Sequence, residues 1–442
     1  TTLPPLGSPD PVDLWKELQR VHDTTGANLL AIAHNGNLSN GIMFPLVDSF
    51  SGKKINKEYA QTRMKWEPLY EITQIKGDGE THPFLSPNDE FADYEVYAYT
   101  FTTSFPPPPS QPKHSYARGA LKDGLAFEKS LGTNPFKFGF IGSSDNHGAR
   151  PGTGYKEVDR LYNTEANGFN DAFFDYLGSL QRPKGKLEPT YMDLGTRSLE
   201  SIMDLNFATD SERQSAYFMS GGLVAAHSPS RSRESIWDAL ERKEVYATSG
   251  PRILLWFDAE AQSKSLAMGS EVNLSESPVF TVKAAGSLKQ KPGCPDSSTG
   301  GLTKDRLEKI CNSECYNPSN ERRLISRIEV IKILPQQFED EPVEGLVNDV
   351  WKSFPCNSTS CKVSFQDEQF AIGRRDAVYY VRAIEEPTPT LSADPLGCEF
   401  DESGQCIKAE VCRVGVHENR GECIAPAEHR AWSSPIFVNY SS

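Results

Sequence analysis

Cysteine is missing from the chain before Cys294, and all nine cysteines of the 442 residues lie from that position onward. A cysteine nucleophile is therefore excluded from the earlier part of the chain. The later cysteines are irregularly spaced among Pro, Ser, Asn and Gly, which favours disulfides and predicts a secreted or periplasmic protein. A zinc ribbon built from a C-x3-C and a C-x4-C pair is the alternative. Because the number is odd, one thiol is expected to be free or to pair outside the chain.

Long apolar runs and an excess of positive charge are also missing. No run approaches the roughly 20 apolar residues that span a bilayer, so no membrane span is expected. The chain has 46 basic and 60 acidic residues and a formal net charge of −14, which opposes binding to nucleic acid. There is no G-x-S-x-G elbow, Walker-type glycine loop, G-x-G-x-x-G turn or H-E-x-x-H helix, and the enzyme classes that these motifs mark are excluded.

The early part of the sequence alternates amphipathic segments with short apolar runs. Apolar residues at helical spacing predict helices, and the short apolar runs between them predict strands. Helix alternating with strand is typical of a parallel sheet or barrel. The helices are expected over residues 12–24, 56–66 and 118–131, and the strands over residues 28–34, 69–75 and 138–142.

The domain organisation follows from where this alternation stops. Residues 150–220 are punctuated by glycine and poorly periodic, which indicates an insertion. The pattern resumes at residue 221 and changes to successive strands near residue 252. We therefore expect an α/β domain over residues 1–251, with an insertion at about 150–220, and a β-rich, cysteine-containing domain over residues 252–442.

Side chains that bind metals occur at the ends of three predicted strands. His34 ends the first strand, Glu71 lies in the second, and Asp145 and His147 follow the third. Residues i and i+2 of an extended chain face the same side, so Asp145 and His147 are expected to converge. Parallel strands place their carboxyl ends side by side, and imidazole with carboxylate suits zinc, manganese or iron. We expect His34, Glu71, Asp145 and His147 to be metal ligands.

Structural interpretations of these residues stay open. Asp145 is a residue type that also caps turns, and His34 is consistent with an ordinary histidine at a strand end. Glu71 is harder to explain in this way, because a carboxyl group inside an apolar strand needs a partner or a metal. The remaining histidines are assigned to the fold or to solvent: we expect structural roles for His227, His417 and His429, and solvent exposure for His22 and His114.

Five long segments of the chain resemble the PHP superfamily of metal-dependent hydrolases, and most closely the domain-of-unknown-function 3604 family. The first two are Ile-Ala-His-Asn-Gly-Asn-Leu-Ser-Asn-Gly at residues 32–41 and Trp-Glu-Pro-Leu-Tyr-Glu-Ile-Thr-Gln-Ile-Lys-Gly-Asp-Gly-Glu-Thr-His-Pro at residues 66–83. The others are Asn-Pro-Phe-Lys-Phe-Gly-Phe-Ile-Gly-Ser-Ser-Asp-Asn-His at 134–147, Val-Tyr-Ala-Thr-Ser-Gly-Pro-Arg-Ile at 245–253 and Arg-Ala-Trp-Ser-Ser-Pro-Ile at 430–436.

The resemblance implies a fold and a site. The fold is a distorted (β/α)7 barrel with a multinuclear metal centre at its strand ends. His34 matches a histidine that ends a late barrel strand, and Asp145 with His147 matches the final D-x-H ligand pair. Glu71 falls where the superfamily often supplies a further ligand. Lys76 and His82 belong to a strong family motif and join Glu71 as expected catalytic residues, with Lys76 suited to bind a substrate anion.

The chain departs from the superfamily in one respect. The superfamily opens with an H-x-H pair on its first strand, and this sequence contains no H-x-H. A chain that starts in mid-barrel would leave strand edges unpaired. We therefore expect that an N-terminal segment with the pair is missing from this sequence, and that this segment is a partner of the chain.

Together these features predict a metal-dependent hydrolase of phosphate or sulfate esters that uses a metal-activated water. Its cofactors would be two or more divalent ions of zinc, manganese or iron, and its substrate a small anionic ester. The alternative is a noncatalytic binding or structural protein that retains a degenerate barrel, because the H-x-H half of the site is absent. The sequence does not determine the oligomeric state.

Overall fold

The structure is a computed structural model, and side chains are described over most of residues 8–96, 112–145, 220–261 and 264–391, and in residues 426–441. Residues 9, 312–313, 339–340 and 343–344 are gaps within these ranges. The short strands at 190–193, 398–400 and 406–411 are described by their backbone. Most of the expected insertion, His147 and His417 lie outside the described residues.

The described helices begin and end where capping groups allow. Asp10 accepts a hydrogen bond from the Val12 amide at the start of the first helix, Pro11 opens it, and Gly26 ends it with a φ of 69°. The three helices expected before residue 132 are confirmed within a residue at each end. The α-helices are α1 Pro11–Thr25, α2 Lys57–Trp66, α3 Ala117–Leu131, α4 Arg233–Glu241, α5 Asp296–Thr299, α6 Lys304–Cys311 and α7 Glu368–Gly373, and a 3-10 helix covers Gly36–Leu38.

Strands predominate after α4. In chain order the strands are β1 Ile32–Ala33, β2 Leu69–Gln74, β3 Gly77–Asp78, β4 Gly139–Gly142, β5 Thr190–Asp193, β6 Leu223–Ala226, β7 Val245–Thr248, β8 Leu254–Ala261, β9 Lys264–Ala267, β10 Glu271–Leu274, β11 Val279–Ala285, β12 Leu288–Gln290, β13 Pro318–Arg322, β14 Ile325–Ile333, β15 Val347–Ser358, β16 Ser360–Gln366, β17 Ala377–Glu385, β18 Thr388–Leu391, β19 Cys398–Phe400, β20 Cys406–Val411, β21 Ile424–Ala427, β22 Arg430–Ser433 and β23 Ile436–Tyr440.

A small sheet near the N-terminus has the parallel pairing that the sequence predicts. β2 lies between β1 and β4 and is parallel to both, with Leu69 opposite Ile32 on one side and Gly139 on the other. β3 folds back antiparallel on β2. Every residue of β2 and β4 is buried, as expected for parallel strands that are covered on both faces. The carboxyl ends of β1, β2 and β4 therefore meet at one edge, which we call the strand-end edge.

The expected distorted (β/α)7 barrel is wrong. Among the described residues the strands form several separate sheets, and none of these sheets closes on itself. After β4, strands β6 and β7 pair antiparallel, and β7 pairs antiparallel with β22 from the end of the chain. A closed (β/α) barrel needs parallel strands, each followed by a helix, around its whole circumference. The alternation before residue 145 supplies only three such strands, and extending that pattern over the rest of the chain caused the error.

The larger sheet and its neighbour form the main apolar core. β10, β23, β17, β22, β7 and β6 are hydrogen-bonded in this order, and β14 and β15 extend the sheet beside β17. A second sheet, in the order β16, β11, β8 and β9, lies against it. Phe257, Phe280 and Phe365 stack between them, with Phe280 4.6 Å from the ring centre of Tyr379. β6 and β7, which precede residue 252, belong to the same sheet as the C-terminal strands.

A fully buried group of charges joins the N-terminal segment to this sheet. Arg118 of α3 contacts Glu80 at 2.5 Å and Asp89 at 2.9 Å. Arg382 of β17 contacts Asp89 at 2.9 Å and Glu329 at 2.7 Å. We call these five residues the buried ion network. Each charge faces an opposite charge, as burial of an ion requires.

Two disulfides confirm part of the expectation for the cysteines. Cys294 is bonded to Cys315, and Cys356 is bonded to Cys361. The C-x4-C pair is therefore a disulfide and not half of a zinc ribbon. None of the helices in the described residues has the length and apolar character to cross a membrane. The two disulfides are compatible with an extracellular protein.

Candidate functional site

The strand-end edge brings together four of the residues that the sequence singles out. His34 follows β1, Glu71 lies in β2, Lys76 sits in the turn between β2 and β3, and Asp145 comes three residues after β4. Contacts between these side chains run across the edge. We call His34, Glu71, Lys76 and Asp145, together with Ser143, the strand-end site.

Glu71 is the most unusual group of the site. Its side chain is 7% exposed, and Oε1 accepts a hydrogen bond from the Ser143 hydroxyl. Oε2 makes no hydrogen bond of normal geometry among the described residues, and the closest basic group is Nδ1 of His34 at 3.9 Å. Burial raises the pKa of Glu71, and the Ser143 hydroxyl, His34, the Gln74 side chain and the Asn35 backbone amide partly oppose the rise. A buried carboxylate oxygen without a donor is suited to accept a proton or a cation.

His34 differs from Glu71 in being open to solvent. Its side chain is 61% exposed. The side-chain nitrogen Nδ2 of Asn35 lies 2.8 Å from Nδ1 of His34, and Oδ1 of Asn35 accepts a hydrogen bond from Gln74 Nε2 at 2.5 Å. Asn35 has a φ of 56°, a backbone conformation that Asn adopts more readily than most residues. This turn holds the imidazole beside Glu71 while leaving it accessible.

Lys76 and Asp145 form an ion pair at the other end of the site. The Lys76 ammonium contacts Asp145 Oδ2, and the two side chains are 7% and 18% exposed. The Lys76 backbone is fixed on both sides, because its amide donates to Gln74 Oε1 at 2.8 Å and its carbonyl accepts from Asn37 Nδ2 at 2.9 Å. Asp145 has a φ of 47°, which few non-glycine residues adopt. The backbone on both sides thus holds the two charges together.

His82, the third expected catalytic residue, is buried in the turn that follows β3. Its Nδ1 accepts a hydrogen bond from the Phe84 amide at 3.1 Å, and its ring lies 5.4 Å from that of Tyr116 at the start of α3. Burial lowers its pKa to about 4, so the ring is neutral at pH 7. A catalytic role for His82 stays a prediction.

The set of expected metal ligands is incomplete in the described part of the chain. His147 lies outside it. Within it, no group of three or more His, Cys, Asp or Glu side chains has the spacing to hold a metal ion. Of the four expected ligands, His34 and Glu71 are neighbours, and Asp145 is paired with Lys76.

The other described histidines fit the structural interpretation better than a catalytic one. His227 bonds the Leu255 carbonyl at 2.9 Å. His429 is fully enclosed between the hydroxyls of Ser249 and Thr390, both at 3.0 Å, and burial lowers its pKa to about 3. The expected solvation is only partly correct: His22 bonds the carbonyl of residue 27 at 2.8 Å, and His114 pairs with Asp123 at 3.2 Å.

Sequence reasoning missed the polar side chains that hold the site. Ser143 bonds Glu71, while Gln74 bonds Asn35 and the Lys76 amide. Gln74 could have been found by the argument used for Glu71, because both are polar residues inside a buried strand. Ser143 stands directly after β4, where side chains of parallel strands reach the site.

A cavity opens beside His34. It has a volume of about 430 Å³ and is lined by residues of α1, β1, the segment after β1, and α2. Its walls are mainly apolar at Leu14, Ile32 and Ile42, with Arg63 and Glu67 also lining it. This volume is in the range of small-molecule sites, roughly 300–1,000 Å³.

Comparison with known proteins places the chain in a family. The comparisons with curated proteins and with solved structures gave no match. A family model described as "Protein of unknown function (DUF3604)" matches residues 1–291, which include β1 to β4 and every residue of the strand-end site. The chain therefore belongs to the family of proteins of unknown function DUF3604.

Proposed function

We propose that this protein is a metal-dependent hydrolase of phosphate or sulfate esters and that the strand-end site is its active site. One observation carries the proposal: a buried carboxylate with an unpaired oxygen, Glu71, lies 3.9 Å from the exposed imidazole of His34. Leaving a buried oxygen without a donor costs free energy. A bound cation would remove that cost. The relation to the PHP superfamily, on which the reaction type rests, is part of the proposal.

The residue types of the site are those that bind divalent metals, because imidazole and carboxylate are ligands of zinc, manganese and iron. His34 and Glu71, which are neighbours, would hold the ion, and Asp145 would join them by giving up its contact with Lys76, with His147 as an expected further ligand. When bound, such an ion polarises an ester oxygen and lowers the pKa of a bound water to about 7. Two or more ions are expected.

The protein's own groups would handle the proton and the anion. Glu71 would accept the proton that water loses as its oxygen bonds to phosphorus or sulfur. The alcohol leaves as the ester bond breaks and takes up a proton from solvent. Lys76 supplies a positive charge for the anionic ester oxygens. The cavity beside His34 offers space for the organic part of a small ester.

The competing candidate is a noncatalytic binding protein. It is favoured by the pairing of Lys76 with Asp145, because the ammonium already neutralises an expected metal ligand. The absence of an H-x-H pair from the sequence points the same way.

The two candidates differ in metal content and turnover. Purified protein would be loaded with Zn²⁺ or Mn²⁺, analysed for bound metal by mass spectrometry, and assayed with p-nitrophenyl phosphate, bis(p-nitrophenyl) phosphate and p-nitrophenyl sulfate. Asp145→Asn should abolish hydrolysis while the circular dichroism spectrum stays unchanged. The matched control is Asp123→Asn, which also loses a lysine contact, from Lys122 at 3.2 Å. A wild-type chain that binds no metal and cleaves none of the esters would refute the hydrolase.

A further inference from the structure

We infer that Lys76 is a resident cation that competes with a divalent metal for Asp145 and so weakens metal binding at the strand-end site. The inference rests on the proposed function, since it concerns the same site. It depends on the ion pair between the Lys76 ammonium and Asp145 Oδ2 and on the way the fold confines both residues.

The ammonium group of Lys76 cannot easily move away from Asp145. The residue lies between Gln74 and Gly77, which pair with each other across the β2–β3 turn, and its own amide and carbonyl are both hydrogen-bonded. The carbonyl partner, Asn37, is itself only 7% exposed. A surface lysine would swing into water when a cation arrives, but this side chain is 7% exposed and held at its base. The ammonium therefore remains near the site.

The two ends of the site are consequently unequal. At one end the buried Oε2 of Glu71 faces His34 and lacks a hydrogen-bond donor among the described residues. At the other end Asp145 already has a positive partner. A divalent ion reaching Asp145 must displace the ammonium or lie next to it, and like charges a few ångströms apart in a partly buried site repel strongly. Removing the ammonium should therefore tighten metal binding.

The test is a titration of the full chain with Mn²⁺ followed by isothermal calorimetry. Lys76→Met should bind Mn²⁺ about tenfold or more tightly than the wild type, because it deletes one positive charge beside the ion. Lys76→Arg keeps the charge and should stay within about threefold of the wild type. Lys122→Met is the matched control, since Lys122 also pairs with an aspartate but lies on α3, and it should leave the affinity unchanged.

A double variant shows whether the gain passes through Asp145. Lys76→Met combined with Asp145→Asn should lose the added affinity of Lys76→Met. Lys76→Gln serves as a second neutral variant, with circular dichroism as the test that each protein is folded. Equal or weaker Mn²⁺ binding by folded Lys76→Met and Lys76→Gln overturns the inference, and so does the absence of Mn²⁺ binding in every variant.

This outcome is separable from that of the proposed function. Tighter Mn²⁺ binding by Lys76→Met without ester hydrolysis by any variant would support the resident cation and refute the hydrolase. Metal-dependent hydrolysis by the wild type with unchanged Mn²⁺ affinity in Lys76→Met would support the hydrolase and refute the role of Lys76 as a resident cation.

Discussion

The strand-end site and the buried ion network are two concentrations of charge that lie next to each other in the sequence but are built in opposite ways. Glu71 and Lys76 belong to the first, and Glu80 belongs to the second. In the network, Glu80 contacts two arginines and also accepts hydrogen bonds from Tyr380 at 2.5 Å and Trp432 at 2.6 Å. In the site, Glu71 has an oxygen without a hydrogen-bond donor among the described residues.

The pKa directions express the same difference. Burial alone would raise the pKa of Glu80, but Arg382 and Arg118 outweigh it and lower the pKa. Burial also raises the pKa of Glu71, and there the opposing groups are too weak to reverse the shift. A carboxylate stabilised in its charged form holds a fold together, whereas one that is poorly satisfied is available for a ligand. This contrast favours a structural role for the network and supports the proposal that the strand-end site binds a ligand.

The largest expected effect is on stability, from breaking the network. Arg382→Met would remove one of the two arginines that contact Asp89 and one of the two that contact Glu329, and it should lower the free energy of unfolding by about 3 kcal/mol. Urea denaturation followed by circular dichroism measures it. The control Arg20→Met removes an exposed pair with Glu17 at 2.6 Å and should leave the free energy of unfolding almost unchanged. Equal losses in both variants would show that the network is not a structural element.

Stability should also fall on acidification, with a contribution from His82. Its folded pKa of about 4 lies below the ordinary value of 6.5, so the unfolded chain binds more protons between these values. Stability is therefore fully present above pH 6.5 and is lost as the pH falls towards 4. His82→Gln should flatten this dependence by up to about 3 kcal/mol over the same interval. An unchanged pH dependence in folded His82→Gln would contradict the burial argument.

A smaller effect on stability, opposite in sign to that of His82, is expected from Glu71 in the strand-end site. Because the folded pKa of Glu71 is raised, its ionised form destabilises the fold at neutral pH, and the penalty disappears as the carboxyl is protonated at low pH. Glu71→Gln should raise the free energy of unfolding by about 1 kcal/mol at pH 7 and should weaken Mn²⁺ binding. Urea denaturation at pH 7 and at pH 4 tests this, because the cost of the ionised Glu71 carboxylate is present at pH 7 and is lost when the carboxyl is protonated at low pH. A loss of stability at both pH values would mean that Glu71 is a structural group.

The smallest effect on stability should come from His34. Its side chain is 61% exposed, so His34→Ala should change the free energy of unfolding by less than about 0.5 kcal/mol. The same variant should weaken Mn²⁺ binding, which calorimetry detects. An unchanged Mn²⁺ affinity would remove His34 from the site.

Much of the local structure could be predicted because it depends on neighbours in the chain. The spacing of apolar residues located α1, α2 and α3, and the short, mainly apolar runs located β2 and β4. The proximity of Glu71 to His34 followed from one rule, that parallel strands align their carboxyl ends. No such rule predicts the long-range contacts that complete the site. The position of Lys76 against Asp145 depends on a tight turn and on a residue with positive φ, and neither is visible in the spacing of the sequence.

The predicted architecture was wrong for the same reason, because it depends on long-range contacts. Nothing local in residues 220–251 shows that β7 pairs with β22, nearly two hundred residues later. The buried ion network was missed as well, because its members lie at residues 80, 89, 118, 329 and 382 and become partners only when the large sheet forms.

The sequence by itself determined the three parallel strands, the disulfide bonding that two pairs of the late cysteines show, and the residue types gathered at one strand edge, because these depend on periodicity, composition and strand direction. Only the tertiary structure decided that the strands do not continue into a barrel, that Glu80 is enclosed by arginines, and that Glu71 keeps an oxygen without a donor among the described residues. The physical reason is that the state of a buried charge depends on partners brought from distant parts of the chain.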